Sequence, residues 1–244
     1  MRLAVSFAAI TLALSGSTAA QRLTSEADRR EAMTYYRAGQ EALLAERWER
    51  AVEAFRRAIR LEPLFTDARY GLGTAYMGMQ QYVGAIQAFT GCLDAARDLH
   101  GLRLRDRVAA DHQIDDEIRE VRETLRRTQT QPGRGLRALQ RQQRLQDLER
   151  SRTAVGAPFE PPAGVLLALG SAHFRHGNRD LAMKYWGEAV RANAKLGEAW
   201  NNLAAVYAAT GQRREAEAAV RQAEQAGFRV NPRLKEGIAA LGHQ

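Results

Sequence analysis

Four stretches of this chain repeat one pattern of small and large residues, and their fixed spacing constrains the fold more than any other feature. Two of them, LALGSAHFRHGNRDLAMKYWGEA and WNNLAAVYAATGQRREAEAAVRQA, follow one another. Gly170 is followed after twelve residues by Ala182, after four more by Trp186 and after three more by Ala189. Ala204, 34 residues after Gly170, is followed at the same offsets by Ala216, Val220 and Ala223. Gly39 leads likewise to Ala51, Phe55 and Ala58, and Gly73, 34 residues after Gly39, leads to Ala85, Phe89 and Cys92. A 34-residue period with small residues at these places reads as a helix–turn–helix unit. The small residues stand where two helices approach closely, and the large apolar one fills the gap between neighbouring pairs. One such unit cannot bury its apolar face alone, so copies must stack.

Composition agrees. Hydrophobic residues make up 45% of 244 residues with only six prolines, which argues for a folded chain. Ala, Leu, Arg, Glu and Gln dominate, and runs of Val, Ile and Thr are missing, so the expected class is all-α. The offsets resemble those of the tetratricopeptide repeat. That resemblance implies a solenoid of helix pairs, here with an inserted coiled-coil-like helical arm and a C-terminal capping helix. The expected units are an N-terminal helix with repeats 1 and 2 over 21–99, the arm and its return loop over 100–162, repeats 3 and 4 over 163–230, and the cap over 231–244.

Residues 1–20, MRLAVSFAAITLALSGSTAA, read as a secretory signal peptide. Arg2 supplies the positive end, Leu3 to Leu14 a short apolar run, and Thr18 and Ala20 the small residues before cleavage. The run is too short to span a bilayer as a helix of ~20 residues. Export to the periplasm or the outside is therefore expected. Thr24 or Ser25 caps the first helix, with Glu26 and Asp28 in its opening turn. At the other end Asn231 is a cap, Pro232 suits the first helical position, and Leu234, Ile238 and Leu241 would cover the open end of the stack.

The frame breaks once. Pro63 closes repeat 1, but Arg97 stands in its place in repeat 2, so nothing stops that second helix. Gly170 follows Gly73 by 97 residues, an insertion of 63. Ile114, Ile118, Val121 and Leu125 form a short coiled-coil-like seam. Gln131-Pro-Gly-Arg-Gly135 is a breaker, and residues 136–152 are helical in composition. Residues 153–162, with Gly156, Pro158, Pro161 and Pro162, return the chain to the stack. The expected arm therefore runs out and back.

The net charge is +8, almost all of the excess in arginine. Eight arginines lie between Arg126 and Arg152 against Asp147 and Glu149. Arg137, Arg141 and Arg144 share a helix face, which is either a solvated surface or a docking surface for an acidic partner or anionic lipid. Aromatic residues do not interleave with this cluster, so no nucleic-acid partner is expected. The single cysteine, Cys92, cannot form an intrachain disulfide; it takes the slot of Ala58, Ala189 and Ala223 and reads as a buried thiol.

No catalytic residues, metal site or cofactor are expected. The sequence holds no His-Glu-x-x-His, no Gly-rich phosphate loop and no Cys-x-x-Cys. His173 and His176 are three apart on one helix, but His173 stands where Tyr76 and Tyr207 stand in sister repeats, a packing position.

What the family resemblance implies is binding. In such repeats the first helices line a concave groove that holds a peptide or partner helix. By position, the lining here is Tyr36, Gln40 and Leu43; Tyr70, Thr74 and Met77; Leu167, Ser171 and Phe174; then Asn201, Ala205 and Ala208. The large ones, Tyr36, Tyr70, Leu167 and Phe174, fall outside the interhelical offsets and are expected to have no packing duty. The Lys and Arg set that clamps a C-terminal carboxylate in some members is missing. Asn202 matches an asparagine that in some relatives hydrogen-bonds a bound peptide backbone, although Arg37, Gly71 and Ala168 replace it in the other repeats, and a structural duty is the alternative. The whole resembles the exported bacterial repeat proteins that assist envelope or secretion assemblies. Protein taken from its native host is expected to begin at Gln21 or within a few residues of it. N-terminal sequencing checks this, and an intact Met1 on the bulk of the protein would overturn the reading.

Overall fold

The computed structural model describes residues 24–128, 135–151 and 158–241. The leader expected at 1–20, the breaker at 131–134 and Gly156 lie outside them. The described residues form ten helices and no strand: α1 (Glu26–Leu44), α2 (Trp48–Leu61), α3 (Thr66–Gly78), α4 (Tyr82–Thr128), α5 (Gly135–Ser151), α6 (Ala163–Arg175), α7 (Arg179–Ala192), α8 (Gly197–Ala209), α9 (Arg213–Gln225) and α10 (Pro232–Ala240). This is the all-α repeat fold that the spacing predicts. Ser25, not Thr24, caps α1, its hydroxyl accepting from the Asp28 N–H at 3.0 Å. Asn231 caps α10 in the same way through the Arg233 N–H at 2.9 Å, with Pro232 in the first turn.

Each helix pair turns through the same hydrogen-bonded closure. The N–H of Arg47 donates to the Ala42 carbonyl, Gln81 to Tyr76, Asn178 to His173 and Gln212 to Tyr207, at 2.8–2.9 Å. This is the six-residue closure of a helix end whose preceding residue takes a left-handed conformation. Gly177 and Gly211 supply that conformation at φ 94° and 73°. In repeats 1 and 2 the same place is held by Glu46 and Gln80, at φ 53° and 58°. Those side chains are strained where glycine would not be.

The packing explains the repeated offsets. A Cβ on Gly39 would stand 2.6 Å from the Phe55 ring, one on Gly73 2.5 Å from Phe89, and one on Gly170 2.6 Å from Trp186. Helix pairs therefore close on each other by pressing an aromatic ring onto a bare backbone. In repeat 4 the pair is Ala204 and Val220, and the smaller side chain leaves room for the extra methyl. Phe55 also reaches forward: a Cβ on Gly71, in the next repeat, would be 2.5 Å from its ring. One ring thus holds both the pair and the stack.

The core is a chain of such clusters. One joins α1 and α2 to α3 through Phe55, Ala58, Phe65, Ala68 and Ala75. The next joins Tyr76, Phe89 and Cys92 to Val165, Leu169 and Ala172 of α6, so repeats 2 and 3 stack directly although 63 residues separate their frames. The last joins repeats 3 and 4 to Val230 and Ile238, with Leu234 beside them, which places α10 over the end of the stack.

With Arg97 in place of proline, α4 runs unbroken for 47 residues. Its distal half carries the apolar seam, of which Ile118 is buried, and Leu148 of α5 is buried with it. Ion pairs join α5 to α4, among them Arg144 with Glu117 at 2.7 Å and Arg122 with Glu149 at 2.6 Å.

Two outcomes test this account. Gly73→Ala is expected to destabilise the protein by about 1–3 kcal/mol through overpacking. Combining it with Phe89→Val recreates the small-residue pair of repeat 4. The double variant should exceed the additive expectation by roughly 1 kcal/mol or more; strict additivity in denaturant titrations would show that ring and glycine do not set the spacing. Separately, Glu46→Gly and Gln80→Gly should each stabilise the protein by up to about 1 kcal/mol, since a left-handed residue with a Cβ is strained. A lowered melting temperature for both would contradict that.

Candidate functional site

The face presented by α1, α3, α6 and α8 carries the residues singled out from the repeat frame. Their environments differ from the expectation in one respect: the large ones do pack. Tyr36 is half-buried, with its ring 6.0 Å from Phe55 and 5.0 Å from Phe65. Gln40 donates to its hydroxyl at 3.0 Å. The ring of Tyr70 stands 5.5 Å from Phe89, and that of Phe174 5.5 Å from Trp186. Leu167 is half-buried against the core of repeats 3 and 4. Its carbonyl accepts from the Trp186 indole at 3.2 Å and from the Ser171 hydroxyl at 3.0 Å. The physical reason lies in helix geometry: residues three or four apart share a face, so Tyr36, Tyr70 and Leu167, one turn before a core glycine, and Phe174, one turn after Gly170, lean over the ring that covers that glycine. Yet Tyr70 and Phe174 remain 40% and 42% exposed. Each is an aromatic plate with one side seated and the other open.

The remaining members are quieter. Leu43 and Met77 pack against the first two core clusters. Thr74 returns its hydroxyl to the Tyr70 carbonyl at 3.1 Å. Asn201 and Asn202 are half-buried on α8, and their side-chain amides make no hydrogen bond among the described residues. Ala205 is exposed and Ala208 half-buried beside them. The frame missed Met33 and Leu44 on α1, which are 39% and 87% exposed. Met33 lies one turn before Tyr36 and Leu44 one turn after Gln40, so helical periodicity from those two residues would have found them.

His173 is buried and stacks on Tyr185 with ring centroids 5.3 Å apart and planes 11° from parallel. Burial, with His176 nearby, holds its imidazole below the ordinary histidine range. Among the described residues no three His, Cys, Asp or Glu side chains group as metal ligands do. Cys92 is buried between repeats 2 and 3, its thiol donating to the Thr66 carbonyl at 3.3 Å. Burial pushes it up to about 11, with Asp67 adding and Arg69 opposing. On the arm, Arg144 is tied to Glu117 and Arg141 is half-buried, while the side chain of Arg137 lies outside the described residues.

The insertion adds something the repeat frame does not contain. Where α4 leaves the stack, the return segment 158–162 comes back alongside it. Phe159 is held there, its ring 5.7 Å from that of His100 and 5.6 Å from the guanidinium of Arg97. Between this segment, α4 and the opening turns of α3 and α6 lies a cavity of ≈ 680 Å³. Tyr70 belongs to both the cavity wall and the first-helix face. Burial raises the Tyr70 hydroxyl above the usual tyrosine range, and Glu198 on α8 adds to the shift, so a carboxylate of repeat 4 acts on a ring of repeat 2.

Comparison with known proteins follows the same lines. The tetratricopeptide repeat family model matches residues 36–100 and 167–231, more than half of the chain and both sides of the insertion. None of the curated proteins matches. Among solved structures, the chain is similar to TTC0263, a thermophilic TPR protein of Thermus thermophilus, at 19% identity, covering 87% of this chain and 100% of that one with a TM-score of 0.36. It is similar also to pilF of Pseudomonas aeruginosa, at 16% identity, 90% and 92% coverage and a TM-score of 0.36. YrrB, a TPR protein with an unusual peptide-binding site, gives 17% identity, 90% and 95% coverage and 0.32. With the family model spanning both halves of the repeat stack, and its offsets realised in the packing of Phe55, Phe89 and Trp186, the chain belongs to the tetratricopeptide repeat family.

Proposed function

We propose that the protein is an exported scaffold that holds a peptide or protein partner along the face of α1, α3, α6 and α8, and that it assists an envelope or secretion assembly. The observation that carries the binding face is the row of seated aromatics. Tyr36, Tyr70 and Phe174 rest on the core rings Phe55, Phe89 and Trp186. A ring fixed from beneath loses little freedom when a partner covers its open side, and aromatic residues are the usual energetic anchors of interfaces. The amides of Asn201 and Asn202, which have no hydrogen bond among the described residues, continue the face into repeat 4, where they can meet a peptide backbone. Export rests on the apolar leader at 1–20. The rival surface, the arginine face of α5, is weaker as a docking site because Arg144 is already satisfied by Glu117.

Peptides selected by display on the purified protein supply the probe. Tyr70→Ala and Phe174→Ala are each expected to weaken the selected peptide by ~2 kcal/mol or more, with little dependence on salt and with helical content retained. Tyr36 is a poorer choice because it packs on two core rings. Arg141→Gln with Arg144→Gln should leave affinity unchanged. Binding that survives both aromatic changes but is lost with the arginines, or at high salt, would move the site to the arm.

A further inference from the structure

Position 173 is a slot where the repeats differ in chemistry: repeats 1, 2 and 4 hold Ala42, Tyr76 and Tyr207 there, and repeat 3 holds an imidazole. Among the described residues His173 is the one buried polar or charged side chain. Its ring lies flat on Tyr185 of α7, which packs in turn on the cluster where Val165, Leu169 and Ala172 meet Tyr76, Phe89 and Cys92. His173 therefore sits at the joint between repeats 2 and 3. Nothing around it is suited to a proton. Nδ1 is sealed from solvent and has no hydrogen-bond partner among the described residues. A protonated ring would make that atom a donor with no acceptor, which costs the full desolvation of the group. The charges held on the rings of the same cluster are cations: Lys184 Nζ lies 5.7 Å from the Tyr185 centroid, and Arg56 of α2 donates to the Tyr76 hydroxyl. On α6 itself His176 acts on the ring and opposes a positive charge. From α4, Cys92 is a thiol pushed up to about 11, and Asp94 is paired with Arg97. No carboxylate acts on the imidazole, neither Asp180 nor Glu188 of α7 among them. A buried charge without a partner of opposite sign is strongly unfavourable.

We propose that His173 makes the joint between repeats 2 and 3 acid-sensitive: when its imidazole takes up a proton, α6 and α7 loosen from α4 while repeats 1 and 2 stay packed. The unfolded chain protonates this residue in the ordinary histidine range, about 6.5, and the folded chain only below it, because burial opposes the charge. Between the two the unfolded state binds more protons. Stability is therefore complete above that range and falls as pH drops through it. A phenol in the same slot takes up no proton over this range, so the joints carrying Tyr76 and Tyr207 lack the response. The effect reaches the first-helix face directly. Phe174, one of its seated aromatics, is the next residue on α6, and its ring rests on Trp186 of α7. The joint itself does not depend on whether that face binds a peptide.

The test compares the full chain with His173→Tyr, which installs the residue of the sister slots, and with His173→Gln, which is polar and takes up no proton. Melting temperature and amide protection are measured at about pH 7.5 and about pH 5, on either side of the histidine range. On acidification the wild type is expected to lose at least about 3 °C more than either variant. Its protection should fall first at Leu169, Ala172 and Tyr185, by about threefold or more beyond the fall at Ala51 and Phe55 of repeat 1. His176→Gln, which leaves the buried ring in place, should retain the extra loss. The imidazole signal of the wild type gives a readout that needs no variant: His173 should stay uncharged at a pH where histidine in an unstructured peptide is already protonated. A His173 signal that titrates as in such a peptide, variants as acid-sensitive as the wild type, or protection lost evenly along the stack would each overturn the proposal.

Discussion

A ring laid on a glycine holds each helix pair together in three of the four repeats. Phe55 on Gly39, Phe89 on Gly73 and Trp186 on Gly170 leave no space for a Cβ, so the distance between first and second helix is fixed by the thickness of one aromatic ring. Close-packed interiors respond to a single added methyl, which is why such a contact can fix geometry as well as contribute burial. Because Phe55 touches Gly71 of the following repeat as well, pairing and stacking are not independent. The same rings then support Tyr36, Tyr70 and Phe174 from beneath. Core and binding face are two sides of one aromatic layer.

How far the sequence shows this depends on whether a feature lives in spacing or in orientation. The 34-residue frame and the missing stop at Arg97 are spacing, and α2 ends where Pro63 requires. The left-handed turn residue is legible at Gly177 and Gly211, because glycine announces it, and illegible at Glu46 and Gln80, where the hydrogen-bonded closure imposes it on residues that disfavour it. The packing of the first-helix aromatics is illegible for a related reason. Offsets tell which helix face a residue occupies, but not that a tyrosine one turn from a core glycine lies against the ring that covers that glycine. Half-burial of this kind has no periodic signature.

The insertion shows how a repeat stack tolerates an interruption. Val165, Leu169 and Ala172 pack directly against Tyr76, Phe89 and Cys92, so the stack continues across the residues between. Chain entropy for a longer connection grows only slowly with length, and a helical arm fills most of it with satisfied backbone. The one requirement is that the chain leave and return at the same edge. Arg97 serves both ends of that requirement: it allows α4 to continue, and its guanidinium holds Phe159 where the chain comes back.

A solenoid face built only from repeats is broad and shallow, and gains area by adding copies instead of depth. Depth needs a wall that rises off the stack. Here α4 is that wall, and it is held by the core itself: the helix that buries Phe89 and Cys92 inside repeat 2 continues without a joint to His100 and Arg103 at the cavity edge. A side chain on a continuous helix is positioned by everything that helix packs against, in a way that a loop residue is not. Arginine at position 97 in place of the closing proline, which from the sequence reads only as the loss of a stop, therefore adds to the face an open recess beside Tyr70.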